Sequence, residues 1–407
     1  MCFYLHICTT MRLHRSTCEA VVTALDSIFK GNRYADKVIE KILKSNSKWG
    51  ARDRRFIAET TYDIVRWYRL LKTITEAKGD DYWKMLGGWC VLHEVPVPGW
   101  EEFHEIVPGR IQGNFKEAAL TRKIRESIPD WLDELGAAEL GEQWDKELQA
   151  LNEEATVVLR VNTLKISRKE LHQRLAEDAI QSTPLPNFPD ALALDQRQNV
   201  FGSAAFKNGL FEVQDAASQY IGPFLRPAPG MRVIDACAGA GGKTLHLAAL
   251  MENKGRIISM DVEQFKLDEL QKRARRAGVS NVETRLIDSS KTIKRLENTA
   301  DRLLLDVPCS GSGVLRRNPD AKWKLSIDFI SRVKELQQNI LRDYCGMVKA
   351  GGLIAYSTCS IFPSENQKQV ESFLENAGGR FELVEQRHCL PSDGYDGFYM
   401  ALLKRVS

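Results

Sequence analysis

The chain has no apolar run approaching the roughly 18–20 residues that a membrane-spanning helix needs, which argues against a helical membrane protein. Residues 1–10 are mildly apolar but lack the basic segment and long apolar core of a secretory leader. Met11 offers a second initiator. Nine cysteines are present, an odd number with no Cys-x-x-Cys pair, which argues against both a disulfide framework and a structural zinc site. The expectation is a protein of the reducing cytoplasm that uses no metal. No internal period recurs, so a repeat architecture is excluded. A phosphate loop is missing too. Gly242-Lys243-Thr244 matches its end, but Cys237 stands where its first glycine is required.

What is present is an ordinary soluble composition. The 407 residues are 43% hydrophobic and 27% charged, with room for two or three domains that each bury a core. The net charge of +3 hides an asymmetry. Residues 11–75 carry 14 Lys/Arg against 7 Asp/Glu, a net of +7, whereas residues 76–155 carry 8 against 18, a net of −10. A basic head points to a polyanionic partner, because phosphate contacts supply the sequence-independent part of nucleic-acid affinity. Lysines that merely solvate helix surfaces would give the same count.

Residues 1–150 read as helical. Val21, Val22, Leu25, Ile28 and Phe29 recur at three- and four-residue spacing, and Val38, Ile39, Ile42 and Leu43 continue the pattern. A third long helix is predicted over about 51–74, with Phe56, Ile57, Thr60, Ile64, Trp67, Tyr68 and Leu71 facing inward. Pro96, Pro98 and Gly99 break the pattern and predict a loop over 95–113. Trp83, Trp89, Trp100, Trp131 and Trp144 read as packing residues.

Residues 151–225 read as a small α+β module. Residues 156–162 form a strand entering a turn, and Ser167 with Glu170 makes a capping box ahead of Leu171 and Leu175. Short strands are predicted near 191–194 and 210–214. Residues 226–407 alternate strands and helices, the pattern of an α/β fold with a mostly parallel sheet. Seven strands are predicted, over 232–236, 256–260, 282–287, 302–305, 353–357, 381–384 and 398–403. Four finish at or near a useful side chain: Asp261, Asp288, Asp306 and Cys359.

The turn over 235–244 carries Gly239, Gly241 and Gly242, which let the backbone approach a ligand at a helix N-terminus. Asp261 follows Gly239 by 22 residues, where a Rossmann-like fold places the carboxylate that holds ribose hydroxyls. A nicotinamide enzyme and an S-adenosylmethionine enzyme fit that turn equally. The cysteines break the tie. Cys309 and Cys359 each follow an apolar run, at the strand ends where open α/β sheets bind ligands.

Carbon 5 of a cytosine is a poor nucleophile until a thiolate adds to carbon 6 and makes the ring an enamine. Protonation at N3 eases that addition, and loss of the carbon 5 proton allows elimination. The scheme needs a thiolate, an acid and a second group for release; Cys359, Asp306 and Cys309 are of those three types. A single cysteine after a buried strand is ordinarily an inert core thiol. Two, each followed by serine, are harder to read that way.

Three segments closely resemble the RsmB/Nop/Sun family of RNA 5-methylcytosine methyltransferases: residues 306–313 (Asp-Val-Pro-Cys-Ser-Gly-Ser-Gly), 316–323 (Arg-Arg-Asn-Pro-Asp-Ala-Lys-Trp) and 356–360 (Tyr-Ser-Thr-Cys-Ser). Residues 160–165, 213–219 and 396–403 look like the same family's flanking motifs, so the resemblance covers about 156–405. It implies a class I, Rossmann-like methyltransferase with Cys359 as nucleophile, Cys309 assisting release and Asp306 at N3, close to the methionine end of the cofactor. It also implies an S-adenosyl-L-methionine loop of Cys237, Ala238, Gly239, Ala240, Gly241, Gly242 and Lys243, with Asp261 on the ribose, Asp288 near the adenine and Lys266 beside them. RNA contacts are implied at Arg160, Asn162, Arg316 and Arg317. The family's Ala-Pro-Gly-Gly-Lys turn has Ala240 in place of the proline that would restrain φ.

Residues 53–67 are similar to the helical NusB-like extension of the family's ribosomal-RNA members. That likeness implies an RNA-binding domain over 1–150, with Arg52, Arg54, Arg55 and Arg66 on phosphates. Pairing with Glu59 and Asp63 on the same helix is the competing reading. The expected protein is a cytoplasmic, monomeric cytosine-5 methyltransferase of small-subunit ribosomal RNA, whose target base is turned out of its stack. The rivals are a transfer-RNA enzyme of the same chemistry and a non-catalytic, RNA-binding ribosome-assembly factor. The intact cysteine pair counts against the second.

Overall fold

The computed structural model describes residues 12–407, which gather into two compact units, one ending at Asn152 but including Leu315–Ser326, the other holding Glu153–Val314 and Ile327–Ser407. The question of the initiator lies outside the described residues.

In the first unit the helices Arg15–Phe29, Ala35–Ser45, Ala51–Arg66, Tyr68–Thr75 and Tyr82–Leu92 pack around Val21, Leu25, Ile28, Ile57, Ile64, Leu70, Met85 and Trp89. Apolar residues spaced three and four apart fall on one helical face and bury together. The helix predicted over 51–74 is two helices. Trp67 leaves helical geometry at φ −102° and ψ 20°, which lets Tyr68 stack on Phe29 with ring centroids 4.0 Å apart. The loop predicted over 95–113 gives way to a helix, Pro108–Ala118. Proline starts a helix readily because the N–H it lacks would have had no partner there. Trp89 and Trp144 are buried, with indole N–H groups donating to Asp63 at 2.7 Å and to Asp133 at 2.8 Å.

The segment Leu315–Ser326 joins this unit through specific bonds. Trp323 Nε1 donates to Val65 O at 2.8 Å, Ala35 N donates to Asp320 Oδ2 at 3.1 Å, and Arg66 donates to Arg316 O at 2.8 Å. Basic side chains read as phosphate grips are largely committed to the fold. Arg54 donates to Trp49 O and also to Leu43 O and Asn46 O, carbonyls that the end of the helix Ala35–Ser45 leaves open. Arg55 pairs with Glu59 at 2.9 Å, and Arg52 is exposed.

The second unit holds two sheets. The smaller comprises β1 (Val158–Val161), β2 (Ser182–Pro184), β3 (Ala191–Leu194) and β4 (Phe211–Val213), antiparallel in the order β2-β3-β1-β4. The edge strand β2 is absent from the sequence reading; it is three residues long and contains Pro184, which an edge tolerates. The helix Arg168–Glu177 starts in the capping box, with Glu170 N donating to Ser167 Oγ at 3.2 Å.

The larger sheet comprises β5 (Arg232–Asp235), β6 (Arg256–Asp261), β7 (Val282–Leu286), β8 (Ala300–Asp306), β9 (Val348–Thr358), β10 (Phe381–Cys389) and β11 (Phe398–Arg405). Its order is β10-β11-β9-β8-β5-β6-β7. Strands β5 to β9 pair in parallel, and β11 runs antiparallel to both β9 and β10. Val233, Ile234, Ile257, Ile258, Leu303, Leu304 and Ile354 are inaccessible, as a parallel sheet covered on both faces requires. The chain runs from β5 outward to β7 and then returns to β8 on the other side of β5. That reversal opens a crevice at the carboxyl ends of β5 and β8. No helix among the described residues is long and apolar enough to cross a membrane.

Candidate active site

The turn after β5 enters the crevice first. Gly239 and Gly241 have φ of 53° and 86°, and a Cβ on Gly241 would stand 2.4 Å from Leu270 Cγ. At Gly241 only glycine fits both the backbone and the space. Asp261, at the end of β6, accepts from Gly239 N at 2.9 Å and from Glu263 N at 3.0 Å. Asp235 accepts from Thr244 Oγ1 at 2.7 Å. Burial pushes the Asp235 carboxyl up to about 7, against the opposing pull of that hydrogen bond. Gln214, Asp235, Cys237, Gly239, Lys243 and Asp306 line a cavity of about 330 Å³.

The ends of β8 and β9 close the other side. Asp306 pairs across the sheet with Ser357 and accepts from Ser357 Oγ at 2.9 Å and from Lys243 Nζ at 2.5 Å. Burial opposes the Lys243 charge, but the adjacent Asp306 carboxylate outweighs it and raises the lysine pKa. Cys309 and Cys359 follow the two strands, with sulfur atoms 3.0 Å apart and Cys359 N donating to Cys309 Sγ at 3.2 Å. Contact with Cys359, reinforced by burial, pushes the Cys309 thiol well above its usual range.

The structure thus gathers Asp306, Cys309, Cys359 and the 237–243 turn at one end of the sheet. Asp288 and Lys266 do not line the cavity. Asp288 is exposed beyond β7 and accepts from Thr292 Oγ1 at 2.6 Å, while Lys266 pairs with Glu263 at 2.5 Å.

Arg160 and Asn162, expected on RNA, are buried instead. Arg160 donates to Gln214 and, at 2.6 Å, to Gly242 O; Asn162 Nδ2 donates to Gly209 O and Ala277 O, both at 2.8 Å. Buried polar groups need such acceptors; Arg160 fastens the α+β module to the glycine turn, and Asn162 fastens it to the end of the helix Gln264–Ala277. Arg316 is buried as well, and Arg317 is half-buried. The sequence reading missed Gln214 and Ser357 as site residues. Both lie inside motifs whose cysteines and acids drew attention first.

A seven-stranded sheet with this turn and these strand ends defines a class I, Rossmann-like methyltransferase. Residues 223–404 match the 16S rRNA methyltransferase RsmB/F family, and residues 128–201 match the RsmF/B-like ferredoxin-like domain. The chain is 32% identical over 390 residues to the probable ribosomal RNA small subunit methyltransferase B of Synechocystis sp., covering 86% of this chain and 87% of that one. It is 34% identical over 410 residues to the ribosomal RNA small subunit methyltransferase B of Vibrio cholerae, covering 87% and 90%. The crystal structure of PH0851 is similar over 97% of this chain and 100% of its own, at a TM-score of 0.82 and 26% identity. A methyltransferase homolog protein from Pyrococcus horikoshii is similar over 70% and 97%, at a TM-score of 0.62 and 29% identity. The protein belongs to the RsmB family of S-adenosylmethionine-dependent ribosomal RNA small subunit methyltransferases.

Proposed function

We propose that this protein methylates carbon 5 of a cytosine in small-subunit ribosomal RNA, using S-adenosyl-L-methionine and a covalent bond between Cys359 and carbon 6. The observation that carries this reading is the 3.0 Å approach of the Cys309 and Cys359 sulfurs at strand ends where Asp306 faces Ser357. Membership of a ribosomal RNA methyltransferase family supports the choice of RNA.

The cavity's chemistry fits the cofactor. Its glycine turn permits close approach, and Asp235 and Asp306 line it with acceptors suited to a cationic amine. Asp261 beside it suits ribose hydroxyls. When bound, S-adenosylmethionine supplies an electrophilic methyl group.

The Cys359 thiolate adds its electron pair to carbon 6 while N3 takes up a proton from solvent and donates it in a hydrogen bond to the Asp306 carboxylate, leaving enamine density on carbon 5. Lys243 holds the Asp306 carboxylate in place. After carbon 5 has gained the methyl group, Cys309 removes the carbon 5 proton. The C6–S bond then breaks, the proton at N3 returns, and Cys359 leaves as thiolate.

The order of events follows from the pair. Contact with Cys359 and burial both raise the Cys309 pKa. Once the Cys359 sulfur is bonded to carbon 6 it carries no charge, and that restraint on Cys309 lifts. Cys309 gives its own proton to solvent before it takes the one from carbon 5.

Incubation with unmodified small-subunit ribosomal RNA and a labelled methyl donor, followed by bisulfite sequencing, tests the reading. Protection of a cytosine supports it; label on another base or another atom overturns it.

A further inference from the structure

Glu365 has no solvent exposure and lies in a short turn, Pro363–Glu365, after β9. Its carboxylate collects donors from both cysteine loops. Ser310, next to Cys309, donates twice: its N–H to Oε2 at 2.7 Å and its hydroxyl to Oε1 at 2.5 Å. Ser360, next to Cys359, donates its hydroxyl to Oε1 at 2.6 Å. Gln337, from the helix Ile327–Tyr344, donates to Oε2 at 3.2 Å and also to Pro308 O at 2.9 Å. Ser312 Oγ lies 2.9 Å from Ser360 Oγ, so the loops are joined a second time.

A carboxylate has only acceptor sites, and a buried one persists where donors fill them. Four donors from three segments meet that need here. The two cysteine loops lie far apart in sequence, and a single residue bonds the neighbour of each thiol. The distance between the sulfurs depends on both loops at once.

The geometry points to Glu365 as the positioning residue that sets the Cys309–Cys359 separation, through Ser310 on one loop and Ser360 on the other. This rests on the two-thiol reading above for its catalytic consequence, but not for its geometric one. Misplacing a reacting group by about 1 Å can cost on the order of 100-fold in rate.

The test compares wild type, Glu365→Gln and the double variant Ser310→Ala/Ser360→Ala, each as the full chain. Glu365→Gln keeps the shape but turns an NH2 donor toward groups that are themselves donors. The first readout is the rate at which diamide joins Cys309 to Cys359, followed by peptide mapping. The second is steady-state methylation of ribosomal RNA. In Glu365→Gln, both the cross-linking rate and kcat are expected to fall by about tenfold or more, with KM for RNA within about threefold. The serine pair is expected to fall in the same direction.

Cross-linking and kcat within twofold of wild type, per folded molecule, would overturn the proposal. So would failure of the wild-type pair to cross-link. If Glu365→Gln is insoluble, the serine pair decides by the same criteria. If wild type fails to methylate cytosine, the proposed function falls while the cross-linking arm still decides the role of Glu365.

Discussion

Lys243 Nζ lies 2.5 Å from Asp306 Oδ2 and so joins the glycine turn to the strand end that precedes Cys309. The pair is mostly shielded, with side-chain exposures of 14% and 25%. Removing one partner leaves the other charge poorly solvated and uncompensated. Lys243→Met is expected to lower kcat/KM on the order of 100-fold, with Lys243→Arg recovering part of the loss. Isothermal titration with S-adenosylmethionine and steady-state kinetics check this together. Equal activity in Lys243→Met and wild type would remove the pair from the mechanism.

Gly313 and Gly397 touch backbone to backbone. A Cβ on Gly313 would stand 2.2 Å from Gly397 O, while Gly313 N donates to Cys359 O at 2.9 Å and Gly397 N to Gly313 O at 2.8 Å. Gly313→Ala must part the segments that hold the cysteine loops. Overpacking of this kind costs about 1–3 kcal/mol, which lowers Tm by roughly 2–10 °C in a unit of this size. Calorimetry measures the shift, and an unchanged Tm would contradict the contact.

His246 is buried at 3% exposure. Burial pushes its pKa down to about 4, with Asp190 pulling up and Arg160 pushing down. An unfolded histidine titrates near 6.5, so between pH 6.5 and 4 the unfolded chain binds a proton that the folded chain refuses. This contribution to stability is complete above pH 6.5 and is lost as pH falls toward 4. At pH 5 the loss is about 2 kcal/mol. His246→Asn is expected to flatten the wild-type decline in Tm between pH 7 and 5. Parallel declines would show that His246 is not the acid-sensitive group.

The strand ends were legible because each is a short apolar run closed by an acid or a thiol, as with 302–306 and 353–359. A parallel strand covered on both faces has nowhere else to put a polar side chain. The break at Trp67 was hidden because one apolar period runs through both of the helices it separates. Pro108 looks the same in sequence whether it ends a helix or starts one. Arg160 stood out only by its motif; its acceptor, Gly242 O, is a backbone atom 82 residues away. Glu365 gave no local signal, because its carboxylate partner Ser310 lies 55 residues away and meets it only when the two cysteine loops fold together.

The division of labour between the two cysteines is the centre of the account, and replacing Cys309 tests it directly. Cys309→Ala, mixed with S-adenosylmethionine and unmodified small-subunit ribosomal RNA, is expected to accumulate a protein–RNA species that survives denaturing electrophoresis. Mass spectrometry should place the link at Cys359, and adding Cys359→Ala should abolish it. Full turnover by Cys309→Ala with no such species would contradict the account.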